Sequence, residues 1–128
     1  RSNAATMQEA TWLEWQDPGS EISWMYRTVD DGVAIKQSED AVIKGDVQIP
    51  TSVAGCPVTE IAEHAIWQNR DMITLSIPTS VVRMAENAIC ECRGLTCVYF
   101  MGKMWYNNRG LKFNNKKGKN NMSKKCTK

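Results

Sequence analysis

The phrase VQIPTSV at 47–53 returns almost unchanged as LSIPTSV at 75–81. Ile49-Pro50-Thr51-Ser52-Val53 lies over Ile77-Pro78-Thr79-Ser80-Val81 at a shift of 77 − 49 = 28 residues. Further on, EIAEHAIWQNRDMITLSI (60–77) lies over RMAENAICECRGLTCVYF (83–100) at a shift of 100 − 77 = 23. The difference is an insertion of five residues around Ala54-Gly55-Cys56-Pro57-Val58. A unit this short cannot bury its apolar face alone. It must stack on its neighbours so that successive units share one core.

Each part of the unit has a physical reason. ITLSI is β-branched and alternating, which suits a strand, with Leu75 and Ile77 inward and Thr74 and Ser76 on the opposite face. Pro78 has no N–H to give a ladder and ends the strand. Thr79-Ser80 turns the chain through side-chain to backbone bonds. Val81, Met84, Ala88 and Ile89 are the apolar positions of a return path, expected as short helical or 3₁₀ turns. Cys92 and Leu95 close the unit before the strand CVYF. The earlier unit fills the same slots with Ile61, Ala65, Ile66, Asn69 and Met72. Asn69 over Cys92 places a small polar or thiol side chain where it can bond to loop backbone inside the unit. The fold class expected is mainly β with short helical segments. The period falls in the range of roughly 20–29 residues of a leucine-rich-repeat solenoid, a right-handed stack of β-strands.

GCPVTEIAEHAI and IPTSVVRMAENAICECRGL carry a more specific pattern. Over about 45–100 the chain resembles the BspA-type leucine-rich repeats. ISWMYRTVDDGVAIKQ (22–37) reads as two alternating strands around an Asp-Asp-Gly turn. The resemblance implies that this hairpin covers the open end of the first unit. The family usually has Phe where this chain has Ile66 and Ile89. The organisation expected is a cloning remnant at 1–4, an N-terminal cap at 5–44, repeats at 45–101 and a basic extension at 102–128. Within the cap, ATMQEATWLEWQDPGSE (5–21) reads as a short helix with Trp12 and Trp15 on one face. It stops at the Asp17-Pro18-Gly19 turn signal. With only about two full units, the chain also reads as a terminal piece of a longer array, inactive alone.

Charge divides the chain. Residues 1–101 hold seven basic and fourteen acidic residues, net −7, and 102–128 hold nine basic residues and no acid. The tail has Lys112, Lys116, Lys117, Lys119, Lys124 and Lys125 as candidates for an anionic surface, with Trp105, Tyr106 and Phe113 upstream. Basic groups beside aromatics hold single-stranded nucleic acid by phosphate contact and stacking, and they also reach polysaccharide. No apolar run approaches the roughly 20 residues of a membrane span.

The constellations that carry chemistry are sparse. Cysteines at 56, 90, 92, 97 and 126 are odd in number, so at least one is free or intermolecular. Cys56, Cys90 and Cys97 are the disulfide candidates if the protein is secreted, and sequence does not choose the pair. Cys90-Glu91-Cys92 lacks the spacing of a zinc site, and His64 is the one histidine. His64 aligns with Asn87 at a turn position. Glu60 and Glu63 read as a solvated face. There is no Gly-rich phosphate loop and no Gly-x-Ser-x-Gly. The expectation is a chain that is not an enzyme, with no cofactor, no metal and no catalytic residue.

What remains is the stacked strand face. Its outward positions are Asp46 and Gln48, then Thr74 and Ser76, then Cys97 and Tyr99, with Tyr99 the best single anchor. The resemblance implies a bacterial secreted or cell-surface module that adheres to a host or matrix protein through this face. The open solenoid end offers a route to oligomers. The alternative is an anionic-polymer binder working through the lysine tail.

Overall fold

The computed structural model describes residues 11–101. Eleven strands occur in the order β1 (Leu13–Gln16), β2 (Ser23–Val29), β3 (Gly32–Gln37), β4 (Gly45–Gln48), β5 (Ser52–Val53), β6 (Cys56–Ile61), β7 (Ile66–Trp67), β8 (Met72–Ile77), β9 (Arg83–Met84), β10 (Ile89–Cys90) and β11 (Cys97–Phe100). The protein is mainly β, with no helix among the described residues. None of its described segments is therefore a helix able to cross a membrane.

The repeat period appears as hydrogen-bond register. In the sheet β4-β8-β11, Asp46 pairs with Thr74 and Thr74 with Cys97, at shifts of 28 and 23 residues. In the pair β7-β10, Ile66 lies beside Ile89, again 23 apart. In the sheet that runs β1-β2-β3-β6-β9, with β5 paired to β6, Glu60 lies beside Arg83 and Ile61 beside Met84. Among the described residues the four pairings between repeat units are all parallel. Equivalent apolar side chains therefore stack in rows. Val47, Leu75 and Val98 form one row at 3 %, 0 % and 1 % exposure. Ile49, Ile77, Ile66 and Ile89 belong to the same core.

The hairpin expected at 22–37 forms from β2 and β3, with Trp24 opposite Gln37 and Val33 opposite Thr28. Asp30 and Asp31 make its turn, and Gly32 is not in a left-handed conformation. Its glycine has a different cause: a Cβ at Gly32 would lie 2.3 Å from the Pro57 carbonyl oxygen. β3 then continues in parallel onto β6, which attaches the hairpin to the first repeat unit.

Two expectations are corrected. The helix placed over 5–21 is absent where the chain is described, and the rest of that segment, 5–10, lies outside the described residues. Leu13–Gln16 is a strand antiparallel to β2, with Trp15 opposite Trp24. In a strand Trp12 and Trp15 fall on opposite faces. Trp15 packs against the core, while Trp12 lies beneath Lys36 Nζ at 4.3 Å and Arg27 at 5.2 Å from its ring centre. The return path also lacks helical turns. It is built from the two-residue strands β7, β9 and β10, separated by non-glycine residues at positive φ. These are His64 and Asn87 at 54° and 57°, and Gln68 and Glu91 at 60° and 57°. Each pair is one repeat apart. A left-handed residue ends any nascent right-handed turn, so both units break at the same two places.

Leu75→Ala removes a fully buried side chain at the centre of a row and should cost about 2–5 kcal/mol. Ile73→Ala, at a position 43 % exposed, should stay within about 0.5 kcal/mol. Urea unfolding of the two variants measures both, and equal losses would contradict the difference in burial between Leu75 and Ile73.

Candidate interaction surface

The strand pairing of β4, β8 and β11 brings the six face candidates into two rows: Asp46, Thr74 and Cys97, and Gln48, Ser76 and Tyr99. Neighbouring strands lie about 4.8 Å apart, so each row is a short ladder of side chains. Asp46 and Gln48 are exposed, and Thr74 and Ser76 are half-buried. Tyr99 is 48 % exposed. Thr74 Oγ1 donates to Asp46 Oδ1 at 2.8 Å, which fixes both side chains of the first row.

Cys97 is a correction. Its register sets it beside Thr74 as the alternation requires, yet it is only 3 % exposed and is disulfide-bonded. It offers no contact surface. Sequence parity gives the direction of a side chain but not what lies over it. Ile73 and Met101, at 43 % and 57 % exposure, are exposed apolar groups at the ends of β8 and β11 that the sequence reading did not name. The lysine candidates Lys112, Lys116, Lys117, Lys119, Lys124 and Lys125 lie outside the described residues.

The other residues weighed for chemistry separate. Cys56, Cys90 and Cys92 are free thiols, which removes Cys56 and Cys90 as disulfide partners. Cys92 Sγ lies 3.4 Å from the Cys90 carbonyl and 3.7 Å from that of Ile66, in the backbone-bonding role expected for its slot. Asn69 instead donates to Gln37 Oε1 at 2.7 Å, so the hairpin's last residue supplies its acceptor. Burial pushes the Cys92 thiol up. Burial, with Glu91 alongside, does the same at Cys90. No group of three metal-ligating side chains occurs among the described residues. His64 is exposed, with its ring 6.0 Å from that of Trp67. On this arrangement alkylation at pH 8 should modify exposed Cys56 first and Cys92 last, as peptide mapping of a time course would read. Faster modification of Cys92 would contradict its burial.

Glu60 is not merely solvated. Arg83 forms a bidentate pair with Asp31, at 2.9 and 3.0 Å, and its Nε reaches Glu60 Oε1 at 3.2 Å. Thr59 Oγ1 donates to the same Asp31 at 2.9 Å. One guanidinium thus joins β9, β6 and the hairpin turn. The hydrogen bonds from Arg83, then that from Thr59, hold the Asp31 carboxyl far below the usual carboxylate range. The Asp31 hydrogen bond raises Arg83 in turn. The stabilisation is therefore complete above the ordinary carboxylate pKa of about 4 and fades as pH falls below it. Asp31→Asn should lower the melting temperature at neutral pH and flatten its decline on acidification. An unchanged acid profile would show that the pair contributes nothing.

Comparison with protein-family models, with curated proteins and with solved structures returns no match.

Proposed function

We propose that the chain is a short leucine-rich-repeat solenoid of the BspA type, coiled right-handed. In this reading it acts as a non-catalytic protein-interaction or adhesion module of a bacterial surface or secreted protein. The observation that carries the reading is the alignment of Asp46 with Thr74, and of Gln48 with Ser76 and Tyr99, across three parallel strands. A ladder of fixed spacing on rigid strands presents polar groups without first ordering them, which lowers the entropic cost of binding. Tyr99 supplies the large, half-exposed aromatic group that contact surfaces use as an anchor. The parallel 23-residue register and the hairpin joined to β6 support the solenoid assignment. Host or matrix protein as partner, and a surface location, follow from the family resemblance.

The test is capture from extracellular-matrix material at low and high salt, with the intact chain, with Tyr99→Ala and Gln48→Ala, and with the six tail lysines changed to Gln. Binding through the strand face should persist at high salt. It should weaken about 30-fold on loss of Tyr99, the scale of a hot-spot residue. Capture that vanishes with salt or with the lysines, and ignores Tyr99→Ala, would overturn the strand-face reading in favour of an anionic polymer held by the tail.

A further inference from the structure

We propose that the free edge of β4 is a docking site for an extended peptide segment of a protein partner, which adds there as a further strand. The proposal rests on the interaction-module reading and adds to the strand face a second, separate contact site.

Among the described residues β4 ends its sheet and pairs only with β8. Gly45 N–H donates to the Asp71 carbonyl at 2.8 Å and Ile49 N–H to that of Ser76 at 3.0 Å, so odd-numbered residues face β8. Backbone groups alternate sides along a strand. The N–H and C=O of Asp46 and Gln48 therefore point to the open edge. Among the described residues these four main-chain groups have no partner, two donors and two acceptors spaced two residues apart. At about 3.3 Å per residue, the chemistry that matches such a row is another extended backbone.

The edge is flanked by shallow surface depressions. Across from it stands the β1–β2 turn, fixed by Asp17, whose carboxylate accepts from Gly19 N–H at 3.0 Å and Ser20 Oγ at 3.1 Å. Two depressions of about 410 and 500 Å³ lie between this turn and β4, and Asp17 and Gln48 line both. The larger is floored by Ile22, Val42 and Val47. Val42 is 69 % exposed, the most exposed large apolar side chain among the described residues. The edge offers main-chain bonds along one side and an apolar seat for an alternate side chain. Pro50, which has no N–H, closes the row two residues beyond Gln48 and limits the added strand to a few residues.

The experiment selects binders to the intact chain from a library of random linear peptides at high salt, then measures them against four variants. Gln48→Pro deletes one edge N–H and leaves the bonds to β8, because residue 48 faces away from them. Gln48→Ala keeps that N–H and removes only the side chain. The remaining variants are Val42→Glu and Tyr99→Ala. Peptides docked on the edge should lose about tenfold in affinity with Gln48→Pro and with Val42→Glu. They should keep their affinity with Gln48→Ala and Tyr99→Ala. In the unaltered chain, the amide protons of Asp46 and Gln48 should exchange at least several-fold more slowly when peptide is bound, a readout independent of how Gln48→Pro folds. Peptides that ignore Gln48→Pro and leave those amides unprotected, but are lost with Tyr99→Ala, would overturn the edge site and leave the strand-face module standing. A library that yields no binder would overturn the edge site. Protection that rises with protein concentration alone would also overturn it, since a second copy would then be the occupant.

Discussion

Parallel hydrogen-bonded register between successive units is the constraint on which the rest of the molecule depends. Once Thr74 is beside Cys97 and Ile66 beside Ile89, every equivalent side chain is carried to an equivalent place. Leu75 then meets Val47 and Val98 in the core, and Ser76 meets Gln48 and Tyr99 outside it. A slip of one residue would reverse both sets. Burial of the inner rows makes that slip costly, at about 1.5–3 kcal/mol for each large aliphatic side chain turned to water. Core and outer face are two consequences of a single alignment.

The close approach of neighbouring units has its own sequence requirement. A Cβ at Gly94 would lie 2.3 Å from the Arg70 carbonyl oxygen. The equivalent residue one unit earlier is Asp71, so the requirement belongs to this junction and not to the repeat. Gly32 meets the Pro57 carbonyl at the same 2.3 Å, where the hairpin joins the first unit. Both glycines are places where backbone touches backbone.

Much of this was legible in the chain because a repeat tests itself. Two copies of IPTSV fix the offset, the offset fixes the partners, and alternation fixes the facing of Thr74 and Leu75. The Asp-Asp-Gly hairpin was legible for a local reason, the turn chemistry between two alternating runs. What escaped depends on contacts that no local pattern encodes. Trp12 and Trp15 have helical spacing, but pairing of 13–16 with β2 overrides that preference. Cys97 has the outward parity of its row, but covering decides its burial. The Arg83–Asp31 pair spans 52 residues. Half of its logic was nonetheless present, since Glu60 and Arg83 occupy equivalent positions in adjacent units. The open edge of β4 follows from strand order, which sequence did not give for the N-terminal turn beside it.

The Arg83 cluster has a consequence for a protein under tension. A stack of parallel ladders resists force poorly when pulled across its strands, because rungs separate one after another rather than together. Arg83 reaches from β9 over β6 to the hairpin turn, through two bonds to Asp31 and one to Glu60. It works as a staple laid across the direction of peeling. The hairpin cannot lift from the first unit without breaking these bonds as well as the β3–β6 ladder. One side chain thus ties together three segments that the parallel ladders join only pairwise.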